Sequence, residues 1–552
     1  MNRVVIAGVG LCWATSLPAQ LPDSIARRVD SVFIAFDKPT SPGCALGIYN
    51  AGEIAYTRGY GSANLEHGIA ITPRTVFDLG STSKQFTAMS VTLLEQEGKL
   101  SLDDDVRRWI PELPAYNKPV TIRQLVHHTS GLRDYLTLMW LRGVNFDGVT
   151  TAGDALSLIV RQREANFEPG SEYLYSNSGY FLLSEIVRRA SGKTLAEFAR
   201  ERIFAPLGMH VTHYHDDHTM IVPNRATGYA PRDSARFRIA MSGFEQVGDG
   251  SVMTTVEDLA LWDRNFYDGR VGGRALLEAM HVPARLTSGR TLEYASGLVV
   301  GQYRGLRTVR HGGSWAGYRA ELLRFPEQRT SVAVLCNYSR SGPGRLAQRV
   351  ADVILGAQLS PVAAAGQGAS AERSTAGPSG TDNSRYVGAF RNAATDDIRT
   401  ISARGDTLRI DYGDGELTLL RPLGDGRFAV EGTSWEVRFS SPTTLVEQVP
   451  NQPPVTFLRF ERARPSAREL DLYAGAYYSD ELDVRWTIAT DSGGLVARIP
   501  GGDTLRLAPT VRDTFVGNGV VMKFRRTGGR ITGALLHSGR VRNIMFSRVR
   551  AP

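Results

Sequence analysis

The chain has 552 residues and a mass of 60.4 kDa, more than one domain ordinarily holds, and its 42% hydrophobic and 22% charged residues exclude disordered, collagen-like and coiled-coil classes. Three cysteines, Cys12, Cys44 and Cys336, are too few and too widely spaced for a disulfide framework or a cysteine-ligated zinc site. The formal charge of +8 comes with six Lys against 58 Arg, a composition bias and not a nucleic-acid signature, and no nucleic-acid partner is expected.

Met1–Arg3, the apolar run Val4–Trp13 and the segment Ala14–Gln20 have the three-part form of an export signal, with an apolar core too short to span a bilayer. Cleavage near Ala19 predicts an exported protein, periplasmic or extracellular. Cys12 lacks the small residues that precede a lipid-modified cysteine, so no stable membrane anchor is expected.

From Leu21 to Phe36, Ile25, Val29, Phe33 and Phe36 recur at helical spacing, and Cys44–Tyr60 alternates as two strands around Asn50-Ala51-Gly52. A mainly helical stretch runs from about Ser81 to Tyr267. Strand-like runs follow at Thr308–Gly312, Tyr318–Phe325 and Ser331–Cys336, then a helix over Gly344–Leu355. Strands at both ends of this region predict an α/β (α+β) unit over 20–358 with one mainly antiparallel sheet.

Residues 359–384 are rich in Ala, Gly, Ser and Pro and read as a linker. Beyond it the chain repeats. Tyr386, Gly388, Pro422 and Phe428 recur as Tyr473, Gly475, Pro509 and Phe515 at an offset of 87, and Phe460 finds Phe546 at 86. Two small closed all-β barrels of the lipocalin-like kind are expected, over 385–464 and 465–552. The tail Val520–Pro552 carries eight basic residues and no acid, interleaved with apolar ones as outward positions of half-buried strands would be.

Three short motifs carry chemistry. Ser81-Thr82-Ser83-Lys84 opens a helix, and one turn sets the amine on the same face as the hydroxyl, where it can accept the serine proton. Tyr175-Ser176-Asn177 offers a phenol to share that proton and an amide to hold a substrate carbonyl. His311-Gly312-Gly313-Ser314 lies at a strand edge, where a backbone N–H beyond Gly313 can pair with that of Ser81 as an oxyanion hole. Each string is weak alone.

Together they resemble the serine β-lactamase and penicillin-binding-protein superfamily, in its class C β-lactamase, D-Ala-D-Ala carboxypeptidase, D-aminopeptidase and esterase branch. Leu125–Leu132, Pro206–Met209 and Gly250–Leu259 look like further landmarks of that family. The resemblance implies that Ser81 is acylated, Lys84 and Tyr175 move its proton, Asn177 and His311 border the substrate, and the N–H groups of Ser81 and Ser314 hold the oxyanion beside Gly313. It implies no cofactor and no metal, and a small peptide or ester substrate, with cell-wall fragments in range.

Where β-lactamases of this branch carry Lys-Thr-Gly, this chain has His311-Gly312-Gly313, which replaces a permanent cation with a group whose ordinary pKa is about 6.5. Efficient β-lactam hydrolysis is therefore not expected, unless Arg319 or Arg324 supplies the charge. A catalytic unit followed by two barrels is also similar to D-aminopeptidases, in which a barrel loop approaches the active site. Asp480-Glu481-Leu482-Asp483 and Asp513 are the acidic candidates.

Two other readings stand beside this one. A catalytically weak member that binds wall peptides would use the barrels for partners. A zinc hydrolase would use His213-Tyr214-His215-Asp216-Asp217-His218, which fits the His-x-His-x-Asp-His string of the metallo-β-lactamase fold but lacks suitable distant ligands. The family fold sets Cys44 and Cys336 on adjacent strands, where buried free thiols are expected over a bridge.

Overall fold

The alternating segment Cys44–Asn50 is buried on both sides, so its two faces need different partners. Cys44, Leu46 and Ile48 join a cluster with Val29, Val32 and Phe33 of the helix Asp23–Val32 and with Leu346, Val350 and Leu355 of the helix Pro343–Leu355. On the other face Tyr49 donates its hydroxyl to the carbonyl of Val256, the first residue of the helix Val256–Asp268. The strand is thus the middle of a layered unit, with helices covering both faces of one sheet.

The computed structural model describes residues 20–233, 236–361, 383–413, 417–431, 433, 435–449 and 454–550. The export signal and nearly all of the linker lie outside them. The sheet runs Val299–Tyr303, Leu306–Trp315, Tyr318–Phe325, Thr330–Cys336, Cys44–Asn50, Glu53–Tyr60, every neighbour antiparallel. The five strands read from sequence are present, and Val299–Tyr303 joins them at the edge. The expected helical stretch is broken by short strands, of which Val252–Thr254 and His213–Tyr214 form a small sheet with Phe77–Asp78 just before it.

Cys44 and Cys336 stand directly opposite each other and form a disulfide, with Cα atoms 4.0 Å apart. This corrects the expectation of free thiols: direct cross-strand pairing brings the two sulfurs together, and the link joins residues 292 apart in sequence.

The chain forms two units. One takes the segments up to Leu102, Leu183–Ala284 and Glu293 to the linker, and holds the six-stranded sheet; the other takes Asp103–Leu182, Arg285–Leu292 and everything after the linker. In the second unit both repeats are closed eight-stranded barrels, Gly388–Arg391 to Val455–Phe460 and Gly475–Ser479 to Val541–Val549.

The repeat anchors keep equivalent places. Pro422 faces Phe428 across a strand pair as Pro509 faces Phe515, and Tyr386 and Tyr473 are both buried. The fifth pairing is corrected. Closure sets Ala389 opposite Phe460 but Ala476 opposite Val549, so Phe546 is not the counterpart of Phe460. The real equivalents on the closing strands are Arg459 and Arg548, an offset of 89 that the sequence comparison missed. Arg459 donates to the carbonyls of Arg385 and Val387, Arg548 to those of Leu472 and Ala474. Each guanidinium occupies the space a Cβ on Gly388 or Gly475 would need.

The bridge predicts that Cys44→Ala with Cys336→Ala lowers the stability of the sheet unit by about 2–4 kcal/mol. Urea midpoints with and without reductant measure it, and an unchanged midpoint would show that the bridge is not formed.

Candidate active site

The turn Gly80–Ser83 leads into the helix Lys84–Gln96, which is buried without a break from Lys84 to Leu94. Such a helix leaves no solvent for a charged side chain, and Lys84 is 0% exposed. A buried ammonium requires acceptors. Lys84 Nζ donates to Ser81 Oγ at 3.1 Å and to the carbonyl of Asp249. Asp249 lies between two glycines just ahead of the Gly250–Leu259 landmark, and sequence reasoning did not single it out.

The turn is held from three sides. Gly80 N–H donates to Asp78 Oδ1 at 2.7 Å, and burial pushes the Asp78 carboxyl up to about 6. Ser83 Oγ accepts from Val252 N–H at 3.0 Å, and Thr82 Oγ1 donates to the His311 carbonyl at 3.1 Å. The strand Leu306–Trp315 approaches backbone to backbone. A Cβ on Gly313 would lie 1.8 Å from the Leu79 carbonyl, and one on Gly80, at φ +50°, would lie 2.8 Å from Ser314 N. Both positions therefore require glycine. The half-buried Ser81 and the exposed Ser314 follow these contact points directly, which is the arrangement two oxyanion-binding N–H groups need.

His311 does not act as a cation. Burial, the Lys84 charge and the neighbouring Arg310 push its pKa down to about 3, against a hydrogen bond to the Gly312 carbonyl. Nδ1 lies 2.7 Å from that carbonyl, so it carries the proton, and Nε2 accepts from Tyr294 Oη at 3.1 Å. The group expected to titrate near 6.5 is therefore neutral there. Arg324 is buried against Asp263 at 2.7 Å and over the Phe266 ring, a structural role, and Arg319 Nη1 donates to the carbonyls of Ala316 and Tyr318.

Tyr175 and Asn177 belong to the second unit. Asn177 begins the helix Asn177–Ser191, and its N–H donates to Asp134 Oδ2 at 2.7 Å. Asp134 also caps the helix Tyr135–Arg142 by accepting from Thr137 N–H, so one carboxylate fixes two helix starts. Ser176 N–H donates to His128 Nδ1 at 3.1 Å, and the His128 ring lies 4.1 Å from that of Tyr175. An Nδ1 that accepts makes this histidine neutral too. The Leu125–Leu132 landmark is thus the seat of Tyr175.

The acidic barrel loop is used elsewhere. Glu481 pairs with the buried Arg133 at 2.6 Å and accepts from Arg163 N–H, Asp480 and Asp483 lie within 4 Å of Arg163, Arg142 and Arg161, and Asp513 pairs with Arg526 inside its own barrel. The contacts of Asp480, Glu481 and Asp483 fasten the second barrel to the segment 103–182. The zinc reading finds no support: the close-set group among the described residues is Asp217, His218 and Glu245, without His213 or His215, and burial keeps His215 down at about 4. Among those residues no helix is long and apolar enough to cross a membrane.

The family model described as Beta-lactamase matches residues 29–356. The chain belongs to the β-lactamase family. It is a serine hydrolase, with a β-lactamase-like catalytic domain followed by two barrels. A D-aminopeptidase of Cereibacter sphaeroides is 28% identical over 549 residues, covering 96% of this chain and 99% of that protein. Penicillin-binding protein 4* of Bacillus subtilis is 31% identical over 307 residues, covering 52% of this chain and 66% of that protein. The crystal structure of D-amino acid amidase from Ochrobactrum anthropi SV3 complexed with L-phenylalanine amide aligns at a TM-score of 0.52 and 25% identity, covering 61% of this chain and 99% of that one.

Nitrogen NMR of selectively labelled histidine should find His311 neutral, with the proton on Nδ1, at every pH down to about 5. A His311 resonance titrating between pH 6 and 7 would contradict the geometry.

Proposed function

We propose that this protein is an exported hydrolase that cleaves D-amino-acid amides and peptides through an acyl-enzyme on Ser81. The observation that carries the reading is the contact of Lys84 Nζ with Ser81 Oγ inside a closed backbone cradle. The substrate class rests on the likeness to D-aminopeptidase over nearly the whole chain, both barrels included, and to D-amino acid amidase over the catalytic part. The disulfide supports export, since such bridges persist in oxidising compartments.

In this reading Ser81 Oγ attacks the substrate carbonyl while its proton passes to the pair Lys84 and Tyr175. The N–H groups of Ser81 and Ser314 stabilise the tetrahedral oxyanion, Asn177 holds the acyl-side carbonyl, and the leaving amine takes the transferred proton. Water then enters, gives a proton back through the same pair, and releases the acid. The neutral His311 offers a β-lactam carboxylate no charge, so penicillins acylate slowly.

Mass spectrometry after incubation with a fluorophosphonate is expected to find one adduct, on Ser81, and a fluorescent penicillin is expected to leave little. Ser81→Ala should abolish hydrolysis of D-alanine amide, while His215→Ala leaves it nearly unchanged; the reverse pattern would sink the assignment. Lys84→Ala should slow acylation by about 10²-fold or more, in line with loss of a charged group positioned on the serine hydroxyl.

A further inference from the structure

The turn between the last two strands of the second barrel consists of Gly539 and Arg540, and it is held by the segment that seats Tyr175. The Asn166 amide is used in both directions: Nδ2 donates to the Arg540 carbonyl at 2.9 Å, and Oδ1 accepts from Arg542 N–H at 2.7 Å. Asp134 N–H also donates to the Arg540 carbonyl. Arg133, whose Nη1 is committed to Glu481, donates from Nε and Nη2 to the carbonyls of Arg542 and Asn543 at 2.9 and 3.0 Å. The hairpin backbone is therefore fixed on both sides of Arg540, and with it the direction of that side chain.

The Arg540 guanidinium carbon lies 4.7 Å from the centroid of the Tyr175 ring, and Nη1 lies 3.9 Å from Asp134 Oδ2. Its side chain is 43% exposed, so the charge is only partly screened. Within the second unit, the charged and titratable groups near Tyr175 include Arg540, Asp134, the neutral His128 and the buried Tyr173, whose pKa Arg540 draws down against the larger effect of burial. Arg540 is a cation laid against the phenol ring by a domain more than 350 residues away in sequence.

We propose that Arg540 is a positioning residue for the hydrolysis: the second barrel sets its guanidinium against Tyr175, where it fixes the phenol ring and stabilises the phenolate that must accept a proton. The inference rests on the proposed role of Tyr175. A phenol ordinarily ionises near pH 10, and a fixed cation beside it favours the charged form. An arginine does this at every working pH and lays a flat face on the ring. The second barrel is then a part of the catalytic apparatus, and not only an attachment.

The test compares full-length wild type, Arg540→Met, Arg540→Lys, Tyr175→Phe and the double variant Tyr175→Phe with Arg540→Met, reading the rate of fluorophosphonate acylation and the pH profile of kcat/KM on D-alanine amide. Because backbone atoms hold the hairpin, Arg540→Met should fold. It is expected to slow acylation about tenfold at pH 7 and to move the acid limb up by about one pH unit, the sign that follows from losing a cation beside the base. Lysine should bring the limb most of the way back. In the Tyr175→Phe background the same methionine should cost nothing further. An unmoved limb, or an equal loss in both backgrounds, would overturn the role of Arg540. Wild-type acylation by Tyr175→Phe would instead remove Tyr175 from the proton path, which marks a failure of the underlying chemistry and takes the proposal with it.

Discussion

An ammonium group with no exposure sits at the first turn of the most buried helix in the sheet unit, and much of the site follows from keeping it there. Burying an unpaired charge is expensive, so Lys84 must spend its hydrogens on oxygen atoms within reach, among them Ser81 Oγ and the Asp249 carbonyl. The contact that solvates the lysine is thus the one that ties it to the serine hydroxyl. His311 then cannot also be charged: buried itself and beside one buried cation, its imidazole stays neutral and donates to its own chain. The change from lysine to histidine at that strand edge is thereby a change in charge at every ordinary pH, not a titratable substitute.

The second barrel enters the chemistry through another buried ion pair. Arg133 is 2% exposed and divides its donors among Glu481, Gln162 and two carbonyls of the hairpin that carries Arg540. Removing one partner of such a pair typically costs about 3–5 kcal/mol, because the other charge is stranded. Trp486 adds an indole N–H to the Leu141 carbonyl, and Trp140 one to Asp503. The segment that seats Tyr175 and the barrel that follows it more than 300 residues later are parts of one packed body.

Local features of the sequence were the legible ones. Ser81 and Lys84 a helical turn apart, the alternation of Cys44–Tyr60 and the recurrence of Tyr386 and Gly388 at Tyr473 and Gly475 all report geometry within a few residues, and each stands as read. What escaped depends on partners distant in the chain. Nothing near Arg540 distinguishes it from the other basic residues of the tail, and nothing near Glu481 announces that its partner is Arg133. The disulfide was not legible, because the strain expected of a bridge between adjacent strands argues for free thiols and only the register shows Cys44 directly opposite Cys336. The last repeat anchor slipped because aromatic identity was followed where closure follows a different count: Arg459 and Arg548, not two phenylalanines, are the matched pair.

The two barrels share a closing device but not a use. Where the second has Trp486, opposite Tyr477, the first has Arg399, opposite Phe390, and that arginine bonds Glu447 of its own barrel. Where the second has Glu481, the first has Ala394. A duplication with one copy committed to the segment 103–182 leaves the other tied to its sister barrel, through contacts such as Asp396 with Lys523. Its outward surface away from that contact is then freer to drift than the hairpin and loop by which the second barrel is held, so related chains should differ more in the first barrel.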